Sequence, residues 1–146
     1  MAPTNTRFSV GLHIVAVLGY HHDRDDVTSK QIAQSVNVDP SFVRRSLSRL
    51  VKAGIVISRR GHRGACRLAR DPVEISLLEV YRACEPPPAV AVHDYPAVAD
   101  CPVSSNIKSS LASVLGQAQG SFEGSLARTS VADLVGDIRR HGAARG

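Results

Sequence analysis

The stretch TSKQIAQSVNVDPSFVRRSLSRLVKAG, residues 28–54, decides the fold. Thr28 with Gln31 three residues on matches a capping box, in which each side chain satisfies an orphan backbone N–H of the other's turn. Ile32, Ala33 and Val36 then recur on one helical face. Asn37-Val38-Asp39 makes a turn, with Asp39 as N-cap and Pro40 at the first helical position, where a missing N–H costs nothing. The second helix, Pro40 to Ala53, divides into two sides at ~100° per residue. Val43, Leu47, Leu50 and Val51 gather on one, and Ser41, Arg44, Arg45, Ser48, Arg49 and Lys52 on the other. Gly54 closes it as the glycine just past a helix end.

Half of the 18 basic residues fall within the 27 positions from Arg44 to Arg70, which hold no Asp or Glu. Ile55-Val56-Ile57 and Cys66-Arg67-Leu68 are short β-prone runs, joined through Arg59-Arg60-Gly61-His62-Arg63-Gly64. Helix, turn, helix and a basic glycine-punctuated hairpin predict a winged helix-turn-helix facing a phosphate backbone.

Upstream, Thr6 to Tyr20 is apolar nearly all round through Phe8, Val10, Leu12, Ile14, Val15, Val17 and Gly19, so it is expected at the centre. His21 to Val27 reads as a charged loop. Downstream, Pro72 to Glu74 reset the chain, Ser76 caps a helix to Cys84, and Pro86-Pro87-Pro88 breaks it. Ala89 to Asp100 has no period and reads as a loop. Pro102 opens an amphipathic segment carrying Val103, Ile107, Leu111, Val114, Leu115, Ala118, Phe122 and Leu126 at steps of three and four. Its ~25 residues span ~37 Å, more than the small N-terminal core covers. Ser130 to Ile138 is a last short helix, and Arg139 to Gly146 a frayed basic tail. The expected fold class is mostly α with a small β-wing. A winged helix-turn-helix spans residues 1–84 and a loop 85–101. A long dimerisation helix with a C-terminal helix covers 102–140, and a tail 141–146.

A hydrophobic share of 43% with 21% charged residues is that of a globular chain, and a net charge of +5 favours an anionic partner. No apolar run reaches the ~18–20 residues of a membrane span. Val10 to Gly19 imitates a leader's apolar stretch, but His13 interrupts it and the N-terminus lacks a basic head, so no signal peptide is expected. Three unevenly spaced cysteines, Cys66, Cys84 and Cys101, argue against a disulfide framework and for the cytoplasm. His21-His22-Asp23 has no further ligand at metal spacing, and Cys101 with His93 has no orienting third group. Neither a metal, a cofactor nor an enzyme is expected.

Seven blocks stand in order: Arg7-Phe8-Ser9-Val10-Gly11-Leu12, Thr28-Ser29, Val43-Arg44-Arg45, Lys52-Ala53-Gly54-Ile55-Val56, Arg60-Gly61-His62-Arg63-Gly64, Ile75 to Ala83, and Cys101-Pro102-Val103 leading to Asn106-Ile107. Together, over Thr6 to Ile138, they resemble the Rrf-two family of bacterial transcription regulators, the IscR/NsrR/CymR type. The resemblance implies a homodimer, with the helix from Pro40 in the major groove and the wing in the minor groove of a palindromic operator. It further implies repression, and a dimer interface on Val103, Ile107, Leu111, Val114, Leu115, Ala118 and Phe122. Some members hold an iron–sulfur cluster through three evenly spaced cysteines before the long helix. Here Cys101 stands last, but one step back is Tyr95 and two steps back Ala89, so the triad is lacking. One thiolate cannot hold a cluster that takes four ligands.

On this reading the DNA-binding residues are Thr28, Ser29, Ser41, Arg44, Arg45, Ser48, Arg49, Arg59, Arg60 and Arg63. Arg44 and Arg45 project early in the second helix, where base edges are reached, and an arginine fork bonds guanine O6 and N7 together. Ser29 and Ser41 are expected on phosphates, which fix register. Arg60 resembles the family's minor-groove residue, with Arg59 and Arg63 on phosphates. Gly116, Gly120 and Gly124 recur every fourth residue, either as drift on an exposed face or as a close approach to a partner helix. Cys101 is either a packing residue or a thiol whose pKa the helix N-terminus lowers, so the effector is either a small molecule or a redox signal. The alternative to a DNA-binding regulator is an adaptor that binds a metabolic enzyme and grips DNA weakly.

Overall fold

A computed structural model describes residues 6–59 and 64–145. The wing tip, with Arg60 and Arg63, lies outside the described residues. The chain forms two compact units, one made of the residues up to Pro86 together with those from Leu126 on, the other of Pro87–Ser125.

In the first unit, α1 (Arg7–Tyr20) is central, as its all-round apolar character requires. Ile14 and Val15 are wholly buried, and α1 touches α2 (Ser29–Val36), α3 (Pro40–Lys52), α4 (Leu77–Ala83) and α6 (Val131–Ala143). Both expected caps form. Thr28 Oγ1 accepts the Gln31 N–H at 3.1 Å and Gln31 Oε1 accepts the Thr28 N–H at 2.9 Å. Asp39 Oδ1 accepts the Ser41 N–H at 2.8 Å, with Pro40 opening α3. Asn37 turns the chain between them at φ 63°, a left-handed conformation that asparagine tolerates.

The division of α3 needs one correction. Its buried line is Val43, Ser46 and Leu50, while Val51 is 40% exposed. At ~100° per residue Val51 stands about 80° round from Val43, whereas Ser46 falls within the apolar arc. The Ser46 hydroxyl is buried there without a hydrogen-bond partner among the described residues.

The sheet is antiparallel in the order β1 (Val27–Thr28), β3 (Ala65–Leu68), β2 (Val56–Ser58). Val56 faces Leu68 and Val27 faces Cys66. The hairpin follows from the sequence pattern; the third strand does not. Val27, read as the end of a charged loop, pairs with β3, and its carbonyl accepts the Cys66 S–H at 3.2 Å. Two residues carry no periodic signal, so that strand exists only through its partner.

A 3-10 turn at Pro72–Glu74 leads to α4, where Ser76 and Glu79 form a second capping box that Arg70 Nη2 reinforces by donating to Glu79 Oε1 at 2.6 Å. Ser130 and Asp133 form a third at the head of α6. The two helix heads are pinned together: Leu77 N–H donates to the Thr129 carbonyl and Val131 N–H to that of Ile75, both at 2.8 Å. The expected basic tail is largely helix, since α6 runs to Ala143. Arg139 accounts for the extension: its guanidinium lies 5.0 Å over the Tyr20 ring and donates to the Tyr20 carbonyl at 3.1 Å.

In the second unit, residues 87–101 contain neither helix nor strand, and α5 (Pro102–Ala127) is a single helix of 26 residues. None of its residues is buried; Val103 is 68% and Val114 62% exposed. Ile107, Leu111 and Leu115 are half-buried, Ala118 and Phe122 exposed. A Cβ built on Gly116 or Gly120 would meet nothing within 4 Å.

Gly11 sets the closest approach among the described glycines, because a Cβ there would clash with Cys84 Sγ. Gly11→Ala is therefore expected to destabilise the protein by ~1–3 kcal/mol through overpacking. The measurement is urea unfolding, with a lowered midpoint at unchanged slope. Adding Cys84→Ala should restore most of the loss. An unchanged midpoint in the single variant would show that α1 and α4 do not meet in this way.

Candidate nucleic-acid interface

One face of the first unit gathers the cationic and hydroxyl-bearing side chains of α3 and of the hairpin base. Local sequence fixes the frame: the α2 capping box, the αL turn at Asn37 and the Asp39 cap hold α3 at a set angle, and Gly54 at φ 74° releases the chain into β2. From that frame Arg44, Arg45, Ser48 and Lys52 stand exposed and Arg49 is half-buried. Arg45 lies 5.7 Å over the Phe42 ring, a cation–π contact that orders the arginine while its charge stays in water. Asp39, at the helix head, holds its carboxyl below the usual range because the Ser41 hydroxyl and then the Ser41 N–H donate to it.

The base of the wing is tied to the same frame. Ser29 N–H donates to the Gly64 carbonyl at 3.2 Å, and Arg59 N–H to that of Ala65 at 2.9 Å. Gly64 has φ 74°, and a Cβ on it would come within 3.0 Å of Ser29 Oγ, so this junction requires glycine twice over. Between α3 and the hairpin lies a groove of about 360 Å³, walled by Ser29, Arg44, Leu47, Ser48, Val51, Ser58 and Gly64 above buried Cys66.

Of the residues expected to meet DNA, Ser29, Arg44 and Ser48 converge on this groove. Thr28 and Ser41 are engaged within the chain, as cap and as cap partner. Arg59 is also engaged: its Nε lies 3.2 Å from Asp26 Oδ2. The run from Arg44 to Arg70 is free of acids in sequence, but the strand β1 carries Asp26 to its edge in space. Sequence reading missed Asp26, since nothing local distinguishes it from Asp23 and Asp25. Arg70 turns away into the α4 capping box, and Arg67 stands exposed on β3.

A sequence profile described as "Rrf2: Iron-dependent Transcriptional regulator" matches residues 4–137. The chain belongs to the Rrf2 family. This is the Rrf-two family whose blocks the sequence carries in order, a family of DNA-binding transcription regulators. YwnA of Bacillus subtilis (strain 168), named as an HTH-type transcriptional regulator, is 40% identical over 136 residues, covering 92% of this chain and 98% of its own. A Lactobacillus plantarum structure, named as a transcriptional regulator, matches at 28% identity and TM-score 0.77, over 94% of this chain and 92% of its own. CymR, the global cysteine regulator of B. subtilis, shares the fold at 24% identity and TM-score 0.68, over 93% of this chain and 98% of its own.

The thiols of this Rrf2 member do not fit an iron–sulfur cluster. Cys66 is buried, gives its S–H to Val27, and burial pushes its pKa up to about 11. Cys84 is packed against Gly11 and likewise raised by burial. Only Cys101, half-buried, precedes α5, where its Sγ accepts the Ser104 N–H at 3.4 Å. Clusters are held by several thiolates on one site, and these three serve three separate local environments.

These environments predict selective chemistry, because the thiolate is the nucleophile. Iodoacetamide applied to the native protein at pH 8 is expected to label Cys101 while leaving Cys66 and Cys84 unmodified by mass spectrometry. Equal labelling of all three without unfolding would contradict the burial of Cys66 and Cys84.

Proposed function

We propose that this chain acts in the cytoplasm as a homodimeric repressor that binds a palindromic double-stranded DNA operator. The observation that carries this reading is the α3 face: Arg44, Arg45, Ser48 and Lys52 exposed together, without an acid on the helix, beside a hairpin whose base is fixed by Ser29 and Gly64. A helix presented in this way enters the major groove, and arginine forks near its start read guanine edges. Ser29 and Ser41 contact phosphates, and the wing, with Arg60 in the minor groove and Arg63 on phosphate, adds affinity that salt screens. Three regulators of known sequence or structure support the reading, YwnA by close sequence likeness and the other two by fold.

Selection of bound sequences from random DNA yields the operator directly. Against that operator, Arg44→Ala and Arg45→Ala should each cost ~1–3 kcal/mol and relax the base preference. Arg63→Ala should weaken operator and random DNA alike and flatten the salt dependence. Fluorescence anisotropy on both DNAs at several salt concentrations checks this. Equal losses for all three variants on both DNAs would refute the division of roles. No bound sequence at all would favour the adaptor reading, in which a metabolic enzyme is the main partner.

The dimer is supported by α5, on which Val103 and Val114 stand exposed and Ile107, Leu111 and Leu115 are only half-buried. Sedimentation at micromolar concentration is expected to give a dimer, and the operator half-sites should lie ~34–36 Å apart. A stable monomer would overturn both.

A further inference from the structure

A cavity of about 460 Å³ opens between α1, α2, the segment leading into β1 and the end of α6. Its size falls within the ~300–1,000 Å³ of small-molecule sites. The apolar part of the lining is formed by Ala16, Val17, Val27 and Ile138. The polar part is asymmetric in charge. In a chain of net charge +5, the lining residues include Asp25 and Asp26 and neither Lys nor Arg.

Most of the other polar groups are already satisfied. His13 Nε2 and Ser35 Oγ lie 3.1 Å apart, and Gln31 Oε1 is committed to the α2 cap. Tyr20 already carries Arg139 over its ring. Asp25 is exposed and makes no ion pair among the described residues. No group of three His, Cys, Asp or Glu side chains among the described residues is placed to share a metal ion. The lining thus sets Asp25, and Asp26 with its Arg59 partner, beside an apolar wall, which suits a cation carried on an apolar body.

Three wall residues also hold the DNA-facing elements. Asp26 pairs with Arg59 at the wing base, Val27 pairs with Cys66 on β3, and Gln31 caps α2. We propose that the cavity binds a small organic cation, a primary ammonium on an apolar body, and that this ammonium competes with Arg59 for Asp26. An ammonium at the Asp25–Asp26 end releases the Arg59 guanidinium and neutralises a carboxylate beside it. Both changes favour a phosphate chain at the wing base. The occupant therefore raises DNA affinity, and by reciprocity DNA tightens its binding by the same factor. Binding of the cation stands on the cavity alone; its effect on DNA rests on the proposed function.

The test uses the full chain and three probes of one shape and different charge: n-hexylammonium, n-hexanol and hexanoate. Calorimetry and amide NMR without DNA are expected to show hexylammonium binding, with shifts at Ala16, Val27 and Gln31. Hexanol should bind roughly tenfold more weakly, and Asp25→Asn should weaken hexylammonium by about the same factor, that of one charge-assisted contact. Anisotropy at fixed ionic strength should show operator affinity rising about fivefold or more with saturating hexylammonium. Asp26→Asn should raise operator affinity without the amine and abolish the response to it, and Asp25→Asn should leave the amine-free affinity unchanged. Equal binding of hexanol and hexylammonium, or shifts confined to other residues, would overturn the cation site. Weaker operator binding by Asp26→Asn, or a bound amine without effect on DNA, would overturn the competition. A protein that binds the amine but no DNA would remove the competition together with the proposed function, and leave the cation site standing on its own titration.

Discussion

The first unit depends on one constraint: a helix that is apolar on every side must be covered on every side. Ile14 and Val15 on α1 reach complete burial only because α2, α3, α4, β3 and α6 each take part of the circumference. Glycine sets how near they come. Gly11 lets α4 approach until Cys84 fills the place of a side chain, and Gly19 does the same for α6, where a Cβ would meet Val135 at 3.0 Å and Val131 at 3.1 Å. The orientation of α3 follows from this packing, and with it the direction in which Arg44 and Arg45 point.

The wing base is held differently, by a few polar links at the rim of the core. Val27 and Cys66 join β1 to β3, Ser29 joins α2 to Gly64, and Asp26 joins the approach to β1 with Arg59. Each link has one end on Asp26, Val27 or Ser29, the stretch that leads from α1 into α2. A hairpin of basic residues thus takes its position from a stretch that looks, in sequence, like a charged connection.

That contrast explains what was legible in the sequence. Thr28 with Gln31, Asp39 with Pro40, and Gly54 are signals whose physics is complete within four residues, and each stands in the structure where the pattern put it. The exposed face of α3 was legible for the same reason. Strand β1, the burial of Ser46 in place of Val51 and the extension of α6 by Arg139 on Tyr20 depend on partners far along the chain, which leave no local trace. The candidate interface shares this limit: acids absent from Arg44 to Arg70 in sequence said nothing of Asp26, which arrives by strand pairing.

The contact between Tyr20 and Arg139 spans 119 positions of the chain. Helices α2, α4 and α6 each begin with a capping box, so their starts are marked locally and early. The side of α1 that carries Gly19 has no such local solution, and it waits for Val131 and Val135. On the ribosome, where synthesis proceeds at ~5–20 residues per second, the helix that organises the unit emerges before its covers, and α6 is the last of them. A nascent chain therefore holds an apolar strip bare for several seconds after α3 is complete, and folding of the first unit finishes only after α5 has been made. Completion of the first unit and synthesis of α5 thus fall almost together, so little of the finished first unit exists without the long helix attached to it.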